Sequence, residues 1–456
     1  MAEIAAKENK MGTDPIGKLL LKMGIPMIAS MLVQALYNIV DSMYVSMINE
    51  NALTAVSISY PMQNLVIAIG SGMCVGVNAL LSRNLGEKNV KEANNIALNG
   101  ILLAILSGIF IAILGLLVVK PFIAAQCVGA STEIYDYGVT YLGIVTTFSI
   151  FIQMELIFER LTTSTGRASY TMISQLVGAV TNIILDPVFI FGYFGLPVMG
   201  VAGAAIATVI GQALAALVSF ILNMTKNKEL TLSFKGFRPS VKIIKNIYKI
   251  GIPSMVMMCI GSVMTFGMNI ILTAFSSTAT AVFGVYFKLN SMVFFPVFGL
   301  NNALVPIIAY NYGAMQKKRI RKAVRLAAIA GMAIMAIGVL LFWMIPDKLL
   351  LIFNANESMI EIGVHAFHII SLCFIPAGYC IILGSALQAL GDAFLSMINS
   401  LTRQVIIILP VAYILSVIGG LDAIWWSFPI AEVSSLTLMT LFYRRVYKKK
   451  IAPLPD

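Results

Sequence analysis

Long apolar stretches alternate with short polar, mostly basic segments from one end of this chain to the other. Runs such as 101–119, 201–222 and 326–345 are each about as long as the ~20 residues that a helix needs to cross a hydrocarbon core. The breaks between runs predict twelve spanning helices, over 16–48, 53–82, 93–119, 134–158, 168–191, 200–223, 243–275, 279–310, 323–345, 359–387, 393–418 and 422–443.

Composition removes the water-soluble alternative. The chain is 59% hydrophobic and only 11% charged over 456 residues, with a mean hydropathy of +0.91, more apolar surface than one aqueous core encloses. The expected fold class is therefore an all-α polytopic membrane protein. Its first eighteen residues carry Lys7, Lys10 and Lys18 but no apolar stretch ending in a cleavage site, so the first helix is expected to be retained. With both termini cytoplasmic, 27 of the 31 Lys and Arg fall on the inner side and only Lys120 and Lys348 on the outer. That asymmetry predicts both termini inside, and the expected location is a cell inner (plasma) membrane. It also accounts for the net charge of +11 without nucleic acid as a partner. Five cysteines without a CxxC read as small apolar residues.

The second half of the chain repeats the first. Lys22-Met-Gly-Ile-Pro26 returns as Lys249-Ile-Gly-Ile-Pro253, and Asn84-Leu-Gly86 as Asn311-Tyr-Gly313, both 227 residues later; Gly166 returns as Gly391 after 225. Six spans bring a chain back to its starting side, so the repeat predicts two six-helix lobes of like orientation. The expected division is an N-terminal lobe over 1–223, a cytoplasmic linker over 224–242 and a C-terminal lobe over 243–456. Substrate would sit in a central cavity between them.

Gln34-Ala-Leu-Tyr-Asn-Ile-Val-Asp41, the stretch Arg83 to Lys88, Thr181-Asn-Ile-Ile-Leu-Asp-Pro-Val-Phe189 and Gly200 to Thr208 resemble the multidrug and toxic compound extrusion (MATE) family, in particular its bacterial DinF-like and MepA-like branch. The likeness runs over nearly the whole chain. It implies export of small amphipathic, often cationic organic compounds through the lipid bilayer, driven by inward flow of H⁺ or Na⁺ through alternating access. No other cofactor is implied, and a monomer is the expected working form. The resemblance puts the coupling acids on the first and fifth helices, where Asp41 and Asp186 stand. Some branches carry further acids on the seventh and tenth helices; here span seven has none and span ten only Glu361 at its outer edge.

Ionisable side chains at membrane depth are costly and need a reason. Asp41 and Asp186 both fall roughly 8–11 Å inside the outer ends of their spans, at 1.5 Å rise per residue, so one shared site is geometrically open to them. Asn182 is one turn from Asp186, and Asn38, Tyr37 and Gln34 precede Asp41, so polar groups are expected to line the approach. Such a cluster can hold a proton, because two like charges brought together away from water disfavour each other, or a dehydrated Na⁺. The plainer alternative is that each Asp bonds a kinked backbone near Pro187. Pro26 and Pro253 each remove a helix hydrogen bond and are candidate hinges, or static kinks. Glu155, with Glu159 one turn on, could relay protons or pair with Arg160 or Arg167. Arg403 and Glu432 fall at similar depth on neighbouring spans and read as a structural ion pair. Lys288 has no evident acidic partner and is a candidate cavity residue. His365, His368 and Glu361 have a spacing that could hold a metal, but without a further ligand no metal is expected. Twenty-six Met and twenty-five Phe suit varied ligands but mostly serve packing.

Two rival functions remain. A lipid-linked oligosaccharide or lipid flippase of the same superfamily would need several cations in its cavity, where only Lys288 and Arg403 are candidates. An intramembrane enzyme would need a nucleophile and base or a metal cluster, and neither HExxH nor GxSxG occurs.

Overall fold

The computed structural model describes residues 9–127, 131–353 and 355–455; Lys7, one of the basic residues counted above, lies outside them. Described residues form helices and turns with no strand. Among the described residues nine helices are long and apolar enough to cross a membrane: Ile16–Ser46, Glu50–Gly86, Val90–Gln126, Ala168–Phe191, Val201–Lys226, Val241–Thr273, Ser277–Gly313, Lys317–Met344 and Ala393–Ile424. Two bent pairs add a span each, Thr132–Thr147 with Ile150–Ser164 at 47° and Glu357–Ser371 with Phe374–Ala389 at 46°. The twelfth helix, Ser427–Val446, carries Glu432, Arg444 and Arg445 and falls short of a free-standing apolar stretch. In chain order these are spans one to twelve, and the chain is an all-α polytopic membrane protein.

The sequence repeat is also a repeat of geometry. Asn49 caps span two through a bond from the Ala52 amide (2.7 Å), and Ser276, 227 residues on, caps span eight through Ala279 (3.0 Å). Each side-chain oxygen satisfies an amide that the first turn leaves without a partner. Lys88 and Met315, again 227 apart, both take φ 58° where spans two and eight end. Bends in spans four and ten occupy matching places. The span-four bend has no proline in either of its helices, and in span ten Pro376 stands in the first turn of the second helix, where a helix tolerates it; apolar composition continues across both breaks, so hydropathy reads each as one helix.

Packing divides the chain differently from its linear order. One compact unit holds Ala29–Met255 together with Asn9, and the second holds Lys10–Ile28 with Val256–Asp456. The boundaries thus run through spans one and seven, two residues beyond Pro26 and Pro253, instead of through the linker at 224–242. Glycine is the physical reason. Within the first unit Gly72 sits so close to span seven that a Cβ there would be 2.9 Å from the Gly251 carbonyl oxygen. Within the second, a Cβ on Gly299 would lie 2.7 Å from the backbone nitrogen of Ile28. Backbones approach this closely only where no side chain intervenes, and each contact draws the first half of a span into the unit it packs against.

Candidate functional site

Five spans of the first unit bring polar side chains together near one end. Asp41 stands five residues before the last residue of span one, Ser46, and Asp186 five before Phe191, the last of span five; at 1.5 Å per residue both lie about 7.5 Å in. Both carboxylates are buried, at 8% and 0% exposure, and they lie within hydrogen-bond reach of each other.

Spans five and six approach closely because Gly178 and Gly211 face each other; a Cβ on Gly211 would be 2.9 Å from the Gly178 carbonyl oxygen. That closeness lets the Asn182 amide donate both to Asp186 Oδ1 (3.2 Å) and to Thr208 Oγ1 on span six (3.3 Å). The Tyr141 side chain, from span four, faces Thr208 of span six and Gln63 of span two. Tyr37, one turn before Asp41, lies within electrostatic reach of Asp41, Asp186, Tyr141 and Glu155. Beyond the acids, Val45, Ala52, Val145, Ile190, Val201 and Ala204 pack into an apolar layer that also takes in the Tyr141 ring.

Donors are in short supply in this cluster. Asp41 Oδ1, Asp186 Oδ2 and Asn182 Oδ1 are buried without a hydrogen-bond donor among the described residues. Three acceptor oxygens in this state are costly unless a proton or a cation joins them.

Gln34 and Asn38 are exposed on span one, and no hydrogen bond joins either side chain to the carboxyls among the described residues. Glu155 leaves Oε2 buried without a donor. One turn on, Glu159 accepts from Ser174 Oγ (3.1 Å) and Gln175 Nε2 (2.9 Å). Arg167 does not pair with either glutamate; it bonds Glu229 through Nη2 at 2.9 Å.

In the second unit Arg403 Nη1 meets Glu432 Oε2 at 3.0 Å, and Lys288 is exposed with Nζ 5.8 Å from the centre of the Phe353 ring. His368 lies against Trp343, ring centres 5.4 Å apart and planes tilted by 51°. Positions matching Asp41 and Asp186 by the repeat offsets are Met268 and Val411, so the acid pair has no counterpart there. Sequence reasoning missed Tyr141, Gln63 and Thr208 as members of the site. Thr208 closes the Gly200–Thr208 motif; Gln63, in the middle of an apolar span, was the other available signal.

A family model described as MatE matches residues 26–188 and again 253–414, once for each half of the chain. Among curated proteins, the multidrug export protein MepA of Staphylococcus haemolyticus is 26% identical over 430 residues, covering 94% of this chain and 93% of its own. MepA of Staphylococcus aureus strain N315 is 26% identical over 434 residues, covering 94% of each. Among solved structures, a MATE in the straight conformation superposes with a TM-score of 0.91 at 22% identity, over 97% of this chain and 99% of that one. A MOP superfamily transporter from Pyrococcus furiosus, described as having a binding pocket of reverse polarity, superposes at 0.90 and 22% identity, over 96% and 98%.

Proposed function

The chain belongs to the MATE family, and on that premise we propose that it exports small amphipathic organic compounds, often cations, in exchange for protons taken up at Asp41 and Asp186. One observation carries the reading: two carboxyls from distant spans share a buried cluster in which three acceptor oxygens lack a donor. A proton held between the carboxyls serves the two acid oxygens of the three, and Asn182, Thr208 and Tyr141 hold the frame around it. A sodium ion is the alternative occupant, since the same oxygens are hard ligands.

Coupling follows from differential binding, because an ion shifts a conformational equilibrium only as far as it prefers one state. Uptake at the acid pair favours a rearrangement of spans one and five that loosens substrate, and release of the ion inside resets the carrier. Pro26 and Pro253 are the points at which spans one and seven bend in this cycle. The unit boundaries, two residues beyond each proline, support that assignment. A flippase would need several cations grouped around a phosphate; here the sequence offers only Lys288 and Arg403 as candidates, and Lys288 lies over Phe353.

The test is ethidium export from liposomes holding the purified protein, with a proton gradient or a sodium gradient imposed. Wild-type protein is expected to export dye under the proton gradient, and Asp41→Asn to lose that export while melting normally. Undiminished export by the variant would remove Asp41 from the mechanism, and export under sodium alone would replace the proton.

A further inference from the structure

Arg403 lies ten residues into the span that begins at Ala393, about 15 Å deep at 1.5 Å per residue, near the middle of a core ~30 Å thick. It spends one hydrogen bond, Nη1 to Glu432 Oε2 at 3.0 Å, and no other is found for it among the described residues. The pairing is end-on on both sides. Glu432 Oε1 is buried with no donor, although a guanidinium and a carboxylate can meet through two parallel bonds.

Exposure separates the two partners. The Glu432 side chain is 4% exposed, whereas that of Arg403 is 24% exposed. Charged groups at this depth almost always face the bundle interior or a water-filled cavity and not lipid tails. The open side of the guanidinium therefore looks into such space, with donors to offer and a fixed acid behind it. Asn399 donates to Ser435 Oγ at 2.9 Å, one turn along each helix, and holds the two helices in register. Cys373, Cys380 and Tyr286 are the other titratable groups that face the pair. The helix widens into a π turn over Thr402–Ile407, a distortion common at functional sites.

The geometry points to Arg403 as a recognition site for the carboxylate of a zwitterionic or anionic amphipathic substrate, with Glu432 as the positioning residue that aims its guanidinium. Planar carboxylates match the free edge of the fork, which a lysine in that place would not offer. Lipid phosphates lie at the membrane surface, about 15 Å away in depth, which leaves the transported molecule as the source of the anion.

This rests on the export reading, and the experiment separates the two. Full-length protein in liposomes is given two dyes that differ in one group, a rhodamine with a free carboxylate and its methyl ester. Wild type is compared with Arg403→Gln, Arg403→Lys and the double variant Arg403→Met with Glu432→Leu, which removes the pair without stranding a buried charge. Losing a hydrogen bond to a charged group costs roughly tenfold or more. The expected result is that kcat/KM for the carboxylate dye falls about tenfold in Arg403→Gln and in the double variant, and by less in Arg403→Lys, while the ester is exported as by wild type. Equal losses for both dyes, or none, overturn the proposal, since a merely structural pair has no means of telling the dyes apart. If Arg403→Gln does not fold, the double variant decides by the same readout. Wild type that exports the carboxylate dye alone refutes the cation-export reading and keeps this one; wild type that exports the ester alone refutes this one; wild type that exports neither refutes both.

Discussion

On the proton-coupled reading, a single proton shared between the Asp41 and Asp186 carboxyls implies one proton per cycle, and that number has a measurable consequence. Exchange of one proton inward for one monovalent cation outward moves no net charge, so a membrane potential contributes nothing to the gradient. A pH difference of one unit corresponds to about 1.4 kcal/mol, which sets a limiting substrate ratio of about tenfold. Were two protons exchanged, one charge would cross per cycle, and 100 mV would add about 2.3 kcal/mol, close to fiftyfold from the potential alone. Liposomes with the pH difference set by dilution and the potential set by potassium and valinomycin separate the two cases, with ethidium as the cation. Wild type is expected to reach about tenfold with one pH unit, and to stay near unity with the potential alone. Asp41→Asn, which removes one of the two carboxyls, is expected to stay near unity in both. A dye gradient built by potential alone refutes the one-proton reading, and a tenfold gradient in the variant refutes the acid pair as its seat.

Other expectations concern packing and access. Gly76→Leu forces a side chain into the Ile247 backbone carbonyl, which has no rotamer by which to yield; a loss of at least about 1–3 kcal/mol should appear as a lowered melting temperature in detergent, and an unchanged one would show that these helices are not so close. Arg167→Ala removes a pair whose side chains are 29% and 27% exposed, so a loss under about 1 kcal/mol is expected with dye export unchanged; a collapse of the fold would mean that the bridge to Glu229 organises the inner end of the lobe. Maleimide should modify the half-buried Cys127 and Cys259 well before the buried Cys74, Cys373 and Cys380, and the reverse order would contradict the packing around spans two and ten.

Hydropathy made the twelve spans legible because lipid allows backbone groups few ways to be satisfied, and continuous helix is the simplest. Repeat offsets were legible for the same reason that the geometry repeats, as the caps at Asn49 and Ser276 illustrate. Asp41 and Asp186 stood out because a carboxyl at that depth has no cheap explanation. What pattern did not reveal is contact. Thr208 is an ordinary residue until Gly178 and Gly211 draw spans five and six together. Glu159 bonds Ser174 and Gln175, which spacing by charge does not point to, while Arg167, a candidate partner for Glu155, reaches Glu229. Gln34 and Asn38 share the helix of Asp41 but stay exposed, because spacing along one helix does not say which neighbour covers it. The exchange of half-spans between units escaped for a like reason: it depends on close approach at Gly72 and Gly299, far from the linker in sequence.

That exchange also bears on how the protein is made. Lys10–Ile28 are made well before the rest of their unit, which resumes at Val256, so that half-helix waits through the synthesis of spans two to six for its partners. The first unit, in turn, stays incomplete until Met255 has been added. Cutting the gene in the linker therefore separates two polypeptides neither of which contains a whole lobe, and each fragment needs the other in the same membrane before it can mature.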